Sequence, residues 1–501
     1  MKRNLKRVLS FFVCAMMVFT TIASVNAEEN VNINGTYEIY VEGYDWGCAT
    51  NKITLTLSSP LDSVTKDTFT VVEHSETFDF ENFTGIIPKE ETRVVESVEI
   101  NGNQVILNLG VNPNVISPLA WSFTTQYNTY AEDYYFDITL NDKDATSEGL
   151  PVGKFVINQN YTNKTTAADN FEVDSYKAND GVNYDYAAYS PTTGSDTLVV
   201  WLHGLGEGGA DADSISDRTT DPYVTLLANK ATALAGDEFQ NTIGGAHILV
   251  PQCPTYWMDN DGKQGNFNDA AIAADGTSYY QKSLHEFINY YKEQVGATKV
   301  VIAGCSNGGY MTLLMGMAYP DEYDAIVPIC EAMPDKLITD EQLAGIKDLP
   351  MYFIWSNDDT TVVPKDHEIP TINRLKEMGA SNLHVSTTDH VYDMSGLYTN
   401  DDGTPYQYDQ GHWSWIYFYN NDTSCDECGE TVFNFISEVV SVKDTVDESK
   451  PQVTEPENTT ATTDQSKTAV KTGDNAPIYG YTAMTLLMAM GFVYLNKKKS
   501  A

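Results

Sequence analysis

The sequence of 501 residues is poor in basic residues and in cysteine. Its 30 lysines and arginines face 70 aspartates and glutamates, which gives a formal net charge of −40. A surface of this sign repels phosphate backbones, so we expect no nucleic-acid partner. Seven cysteines in a chain of this length do not form a disulfide scaffold. The chain does have 42% hydrophobic residues, enough for sizeable folded cores.

The spacings by which common cofactors are bound are also missing. The glycine-rich segment His203–Gly209 lacks the Gly-x-Gly-x-x-Gly spacing of a dinucleotide site. Cys425 and Cys428 are spaced for a local disulfide in an oxidising setting, and the second cysteine pair of a typical zinc site is absent. We therefore expect neither a cofactor nor a metal.

Residues 1–27 have the pattern of a secretory signal peptide. Four basic residues at positions 2, 3, 6 and 7 precede an apolar run over 8–25, and small residues end it at Ala27. The alternative is a retained anchor helix. The pattern predicts a secreted protein.

The other end of the chain is expected to be a spacer followed by an anchor. Residues 441–472 contain no aromatic residue, Leu, Ile or Met, and such a composition cannot bury enough apolar area to fold. In the last segment, 473–501, the apolar run 478–495 is long enough to cross a bilayer at about 1.5 Å per residue. Three lysines follow the run and would stay on the cytoplasmic side.

The order of a short polar motif, an apolar span and a basic tail resembles a Gram-positive cell-wall sorting signal. This resemblance implies that a sortase cuts between Thr472 and Gly473 and links Thr472 to the cell wall. The motif lacks the usual Leu-Pro pair, so a plain C-terminal membrane anchor remains an alternative. In the sorting case, the protein meets the membrane only through this segment, before processing.

Residues 28–150 have the signals of a small all-β domain. Apolar and polar residues alternate with a period of two, and the Asn-Gly pair at 101–102 is a hairpin signal. The predicted strands include 37–41, 53–57, 98–100, 105–109 and 134–140. Short strands with regular turns in about 115 residues are typical of an immunoglobulin-like sandwich.

Residues 151–440 alternate buried strands with helices, which predicts a mostly parallel sheet covered by helices on both faces. The predicted strands are 197–202, 247–250, 299–303, 325–328, 351–355 and 383–386. The predicted helices include 283–295, 309–319 and 364–378. We expect the functional site at the carboxyl ends of these strands.

One of these strand ends carries a candidate nucleophile. The segment Gly304–Gly308 reads Gly-Cys-Ser-Asn-Gly and stands between a strand and a helix, the context in which a Gly-x-Ser-x-Gly turn exposes a serine. Side chains at 304 and 308 would collide in so sharp a turn. Ser306 is therefore the predicted nucleophile, whereas Cys305 is expected to lie in the core.

A serine needs a base and an orienting acid, which follow it in the order acid, then histidine. After the strand 351–355, Asp359 fits the spacing of the acid better than Asp358. The base must follow the last strand, where both His390 and His412 qualify. We favour His412, which lies where a loop enters an aromatic helix.

The negative oxygen that develops during acyl transfer needs fixed N–H donors. The backbone N–H of Asn307 follows the nucleophile and is one candidate. The second is expected from the glycine-rich loop after strand 197–202, where Leu205 is favoured and Gly206 is the runner-up.

Four motifs together resemble those of bacterial α/β-hydrolase esterases that are related to the prolyl oligopeptidase family and have an N-terminal immunoglobulin-like domain. The motifs are Trp201–Gly209, Pro251–Pro254 with Trp257, Gly304–Met311 and Gly411–Trp415. The resemblance covers roughly residues 35–437 and implies the triad and the oxyanion donors named above. The chain departs from it over Tyr392–Gln410, a long segment that we expect to shape the substrate pocket.

The sequence therefore favours a secreted serine esterase that works through an acyl-enzyme. Acetyl or feruloyl esters of plant polysaccharide are the expected substrates on ecological grounds alone. A serine peptidase of prolyl oligopeptidase type is one alternative, although about 115 N-terminal residues are too few for that family's β-propeller. A non-catalytic surface adhesin or carbohydrate-binding protein is the other, and a complete triad argues against it.

Overall fold

The computed structural model describes residues 30–78, 86–121, 128–131, 133–208, 222–263, 274–409 and 411–441. The predicted signal peptide, the sorting signal with Thr472 and all of the predicted spacer except Ser441 lie outside the described residues. Within these ranges, no helix combines the length and the apolar character that a membrane crossing requires.

The N-terminal region is all-β. Its strands are β1 (Val31–Tyr44), β2 (Gly47–Leu57), β3 (Phe69–Phe78), β4 (Ile86–Arg93), β5 (Val95–Asn101), β6 (Gln104–Leu109), β7 (Leu119–Trp121), β8 (Asn128–Tyr130), β9 (Tyr135–Leu140), β10 (Thr146–Ser147), β11 (Leu150–Ile157) and β12 (Asn163–Thr166). The strands predicted from the alternating pattern are confirmed, including the β5–β6 hairpin around the Asn-Gly turn.

These strands form a larger sheet of order β10-β11-β1-β2-β6-β5, with β12 also paired to β1, and a smaller sheet of order β4-β3-β9. The two sheets pack together: the ring of Tyr37 in β1 meets that of Phe136 in β9 at 6.2 Å. The Tyr37 hydroxyl also accepts a hydrogen bond from the Phe136 N–H at 2.8 Å. Strands β11 and β12 carry the larger sheet to residue 166, past the domain boundary that we placed at 150.

The following region contains the remaining strands: β13 (Glu172–Lys177), β14 (Asn183–Tyr189), β15 (Thr197–Leu202), β16 (His247–Gln252), β17 (Lys299–Cys305), β18 (Ala325–Ile329), β19 (Met351–Ser356) and β20 (Leu383–Thr388). They form one sheet of order β13-β14-β16-β15-β17-β18-β19-β20. The strands from β16 to β20 pair in parallel, whereas β13 and β14 are antiparallel additions at one edge.

Helices cover this sheet: α1 (Pro222–Leu227), α2 (Asp237–Ile243), α3 (Gln281–Val295), α4 (Asn307–Ala318), α5 (Asp340–Ile346), α6 (Glu368–Glu377), α7 (Trp415–Tyr419) and α8 (Val432–Ser441). The predicted strands and helices of this region are confirmed to within a few residues at their ends. Every residue of β15 and β17 is buried, as expected for parallel strands with both faces covered.

Successive residues of β15 serve two different cores. Leu198 and Val200 join the core that includes α3 and α4, whereas Val199 and Trp201 join the core on the opposite face. That second core continues without a break into the apolar residues of the N-terminal sheets. The N-terminal region is thus packed against the parallel sheet.

Candidate active site

The turn between β17 and α4 has the strained geometry that a nucleophile turn requires. Ser306 stands at its centre with φ 55° and ψ −116°, a backbone conformation that a residue with a side chain seldom adopts. A Cβ at Gly304 would lie 2.7 Å from the carbonyl oxygen of Gly308, and one at Gly308 would lie 2.6 Å from that of His203. Both positions therefore require glycine, as the sequence predicted.

The structure brings together the three residues that we favoured as a triad. Ser306 Oγ lies 2.9 Å from His412 Nε2, and His412 Nδ1 lies 2.7 Å from Asp359 Oδ2. This order of contacts is the geometry in which a serine hydroxyl gives its proton to an oriented imidazole.

Asp359 is fixed on both of its oxygens. While Oδ2 faces the imidazole, Oδ1 accepts hydrogen bonds from the N–H groups of Thr361 and Val362 at 2.8 and 2.9 Å. Burial lowers the pKa of His412, but the Asp359 carboxylate and the Cys330 thiol beside it together raise this pKa by more, and the net result lies well above the ordinary value. The carboxylate thus stabilises the imidazolium that forms when His412 takes a proton.

The two alternative residues pair with each other instead. His390 Nδ1 lies 2.7 Å from Asp358 Oδ2, and Asp358 Oδ1 accepts a hydrogen bond from the Ser356 hydroxyl at 2.6 Å. The His390 side chain is 43% exposed, against 10% for that of His412. A Cβ at Gly411 would collide with the Asp358 side chain, so glycine lets the chain pass this aspartate just before His412.

Both predicted oxyanion donors stand at the start of a helix. Leu205 starts the 3₁₀ helix Leu205–Glu207, and Asn307 starts α4. Because the first N–H groups of a helix have no partner within it, both point toward the space before the helix. Leu205 and the runner-up Gly206 both line the cleft that contains Ser306.

His203 holds the loop that carries these donors. Its Nε2 accepts a hydrogen bond from the Cys253 N–H at 3.0 Å, and its Nδ1 lies 2.6 Å from the carbonyl oxygen of Gly204. Burial lowers the pKa of His203 to about 4, so the ring is neutral near pH 7 and Nδ1–H donates to Gly204. This bond fixes the peptide group that precedes Leu205.

The cleft above Ser306 has a volume of about 420 Å³ and is lined by both regions of the chain. The N-terminal region contributes Asp45, Trp46, Gly47, Cys48, Ser117, Leu119 and Asn128. The other region contributes the glycine-rich loop, His412, Trp413 and Trp415. The aromatic rings of the cleft therefore come from opposite ends of the sequence.

The long segment before His412 contacts the N-terminal region. Tyr398 in this segment has its ring 6.4 Å from that of Trp46, and its hydroxyl accepts a hydrogen bond from the Asn114 amide at 3.3 Å. Trp46 in turn stacks on Tyr44 at 5.0 Å. The segment thus packs against Trp46, which lines the cleft. Through this contact the segment could influence the shape of the substrate pocket, as we expected from its length.

Sequence reasoning missed two buried side chains next to the site. Glu207 lines the cleft at 5% exposure, and burial raises its pKa to about 7. Cys330 follows β18, is fully buried beside His412, and has its pKa raised by burial to about 12. The rule that strand ends carry the site would have pointed to Cys330, since it comes two residues after the predicted strand 325–328.

Comparisons with known proteins agree with this fold. Residues 185–396 match the family model described as Phospholipase/Carboxylesterase. The matched segment contains Ser306 and Asp359 and ends before His412. No curated protein sequence matches the chain.

Among solved structures, a thermostable esterase is similar with a TM-score of 0.57 and 19% identity, over 77% of this chain and 96% of the other. A ferulic acid esterase aligns only weakly, with a TM-score of 0.35 and 13% identity, over 54% of this chain and 98% of the other. The first likeness confirms the α/β-hydrolase fold. With the family match, it follows that this chain is a serine hydrolase that acts on carboxylic esters.

Proposed function

We propose that Ser306, His412 and Asp359 are the catalytic triad of this esterase. In the first step, His412 Nε2 takes the proton of the Ser306 hydroxyl while Oγ attacks the ester carbonyl carbon. The carbonyl π electrons move to the oxygen and form a tetrahedral oxyanion. Asp359 accepts the hydrogen bond from His412 Nδ1–H and stabilises the imidazolium.

The oxyanion is stabilised by the backbone N–H groups of Asn307 and Leu205. When the tetrahedral intermediate collapses, the bond to the alcohol oxygen breaks and His412 gives its proton to the leaving alcohol. A water molecule then attacks the acyl-Ser306 carbonyl by the same route in reverse. The products are an alcohol and a carboxylic acid, and the enzyme is returned to its starting state.

We propose that the substrates are acyl groups on extracellular plant polysaccharide, such as acetyl or feruloyl esters. The support comes from the cleft, where Trp46, Trp413 and Trp415 offer flat apolar faces. Such faces pack against sugar rings and aromatic acids. The opening between two regions of the chain also suits a substituent that projects from a polymer.

We also propose that the protein acts at the surface of a Gram-positive cell, with the first 27 residues removed and Thr472 joined to the wall by a sortase. The N-terminal all-β region is proposed to be immunoglobulin-like. Its contribution of Trp46 and Asn128 to the cleft supports a part in substrate selection.

The observation that carries the proposal is the pair of hydrogen bonds that joins Ser306 Oγ, His412 and Asp359. Its test is the hydrolysis of short p-nitrophenyl esters by the purified mature chain and by Ser306→Ala. We expect the variant to lose at least about 10³-fold in kcat, because the covalent route is closed. Equal rates in both proteins would overturn the mechanism.

A substrate panel separates the proposed function from its alternatives. We expect acetylated and feruloylated xylan fragments to be cleaved faster than peptide anilides. Faster cleavage of anilides would favour the peptidase. Binding to plant polysaccharide without turnover of any ester would favour the adhesin.

A further inference from the structure

A cluster of metal-binding side chains lies at the far edge of the parallel sheet, apart from the catalytic cleft. His384 is the second residue of the edge strand β20, and Cys425 and Cys428 lie on the turn that follows α7. One ligand atom of each lies within 4.8 Å of the others. The carboxylate of Glu430 contacts one member of this group, with Oε2 at 3.3 Å from His384 Nδ1.

We propose that Cys425 Sγ, Cys428 Sγ and His384 Nδ1 are the protein ligands of a zinc site. Two thiolates and one imidazole are a donor set that suits Zn²⁺. The site lies apart from the catalytic cleft, and we expect it to have no part in ester hydrolysis.

The separation of Cys428 and His384 fits a tetrahedral ion. Zn–S bonds of about 2.3 Å and Zn–N bonds of about 2.05 Å at a tetrahedral angle place sulfur and nitrogen about 3.6 Å apart. Cys428 Sγ lies 3.6 Å from His384 Nδ1.

A proton on His384 cannot pair with both polar neighbours of this ring as well as a metal ion can. Nδ1 carries at most one hydrogen, yet both Cys428 Sγ and Glu430 Oε2 face this single nitrogen. A cation bound by Nδ1 and Sγ would interact favourably with both atoms, and the carboxylate beside His384 would balance part of its charge. Lys376, whose ammonium pairs with Glu427 at 2.7 Å on the same turn, is directed at a different carboxylate.

The turn itself has the backbone of a metal-binding knuckle. The Cys428 N–H donates to Cys425 Sγ at 3.3 Å, a bond that stabilises a thiolate. Gly429 follows with φ 75°, and its N–H donates to the Cys425 carbonyl at 2.7 Å. The Cys425 N–H donates to the Glu430 carbonyl at 2.9 Å, which closes the turn around the sulfur atoms.

The ion would fasten this turn to the sheet edge. The Asp426 N–H donates to the Val385 carbonyl at 2.7 Å, and the Asp426 carboxylate accepts from the Thr387 N–H at 3.1 Å. The turn thus already occupies the open edge of β20 that an unprotected strand would expose. Zinc would join the two sides through the side chains and stabilise the C-terminal part of the chain.

The test uses the mature chain, freed of metal with a chelator under reducing conditions and then titrated with Zn²⁺ or Co²⁺. We expect one ion per chain and, with Co²⁺, the intense visible bands of a tetrahedral thiolate complex. Cys428→Ser, at an exposed position, should weaken Zn²⁺ binding at least about 100-fold while ester hydrolysis continues. Glu427→Gln, on the same turn, should bind as the wild type does.

His384→Gln is the second variant, should Cys428→Ser fold poorly, and it should also lose the cobalt bands. Failure of the reduced wild type to bind Zn²⁺ or Co²⁺ would overturn the proposal. So would undiminished binding in both variants, or a Cys425–Cys428 disulfide that persists in protein purified with zinc present. None of these outcomes depends on whether the cleft hydrolyses esters.

Discussion

Replacing Glu207 by glutamine should make the protein more stable at alkaline pH and change it little in acid. The Glu207 carboxylate is fully buried, and the side chains of Asn229 and Asn128 that hydrogen-bond it are neutral amides. Burial raises its pKa from 4.5 to about 7. The folded state therefore holds a proton that the unfolded state releases at lower pH.

The sign and size of the effect follow from this difference. Below pH 4.5 both states are protonated, so Glu207 contributes no pH dependence. As the pH rises to about 7, the unfolded state ionises first and the folded state loses stability. The pKa difference of about 2.5 between the two states corresponds to about 3 kcal/mol of unfolding free energy. About 2.5 kcal/mol of this loss falls between pH 5 and pH 8.

The assay is urea unfolding of the wild type and Glu207→Gln near pH 5 and near pH 8. We expect the free energy of unfolding of the variant, relative to the wild type, to rise by about 2.5 kcal/mol between the two conditions. Glu286→Gln is the matched control: hydrogen bonds from Tyr176 and Asn179 lower the pKa of its carboxyl, so the difference in unfolding free energy should stay flat over this range. A flat difference for Glu207→Gln as well would refute the reasoning.

Three further predictions concern the triad and its turn. Asp359→Asn should lower kcat about 10⁴-fold, because the imidazole of His412 loses its orientation. Asp358→Asn should lower kcat less than about tenfold. Similar losses of kcat in both variants would contradict the pairing of Asp359 with His412. The pKa of His412 lies above its ordinary value of about 6.5, so the acidic fall in kcat/KM should begin above that pH. A pH–rate profile in which kcat/KM falls only below about pH 6.5 would show that Asp359 does not raise the pKa of His412. Gly308→Ala forces a Cβ into backbone and should cost about 3 kcal/mol or more in urea unfolding, while Gly345→Ala, with open space around it, should be neutral or slightly stabilising.

The parts of the fold that depend on local pattern could be predicted from the sequence. Buried runs such as 299–303 and 351–355 became parallel strands, since strands covered on both faces are apolar throughout and these runs are too short for typical helices. The turn at Ser306 was also predictable, since its two glycines and its place between strand and helix leave few other conformations.

Contacts between distant residues could be predicted only in part. The sequence favoured Asp359 and His412, but Asp358 and His390 stayed open as alternatives, and only the folded chain shows that these two residues pair with each other. Trp46 reaches the cleft because the N-terminal sheets pack against the parallel sheet, and no periodicity reveals this. His384 likewise meets Cys428 through the docking of a turn on a strand edge.

Covalent trapping of the nucleophile is the most direct test of the account. The mature chain would be treated with a fluorophosphonate, and the labelled peptide identified by mass spectrometry. We expect one adduct per chain on Ser306, complete loss of ester hydrolysis, and much slower labelling of His412→Ala, because the serine then lacks its base. An adduct on another residue, or ester hydrolysis that survives complete labelling of Ser306, would contradict the central claim.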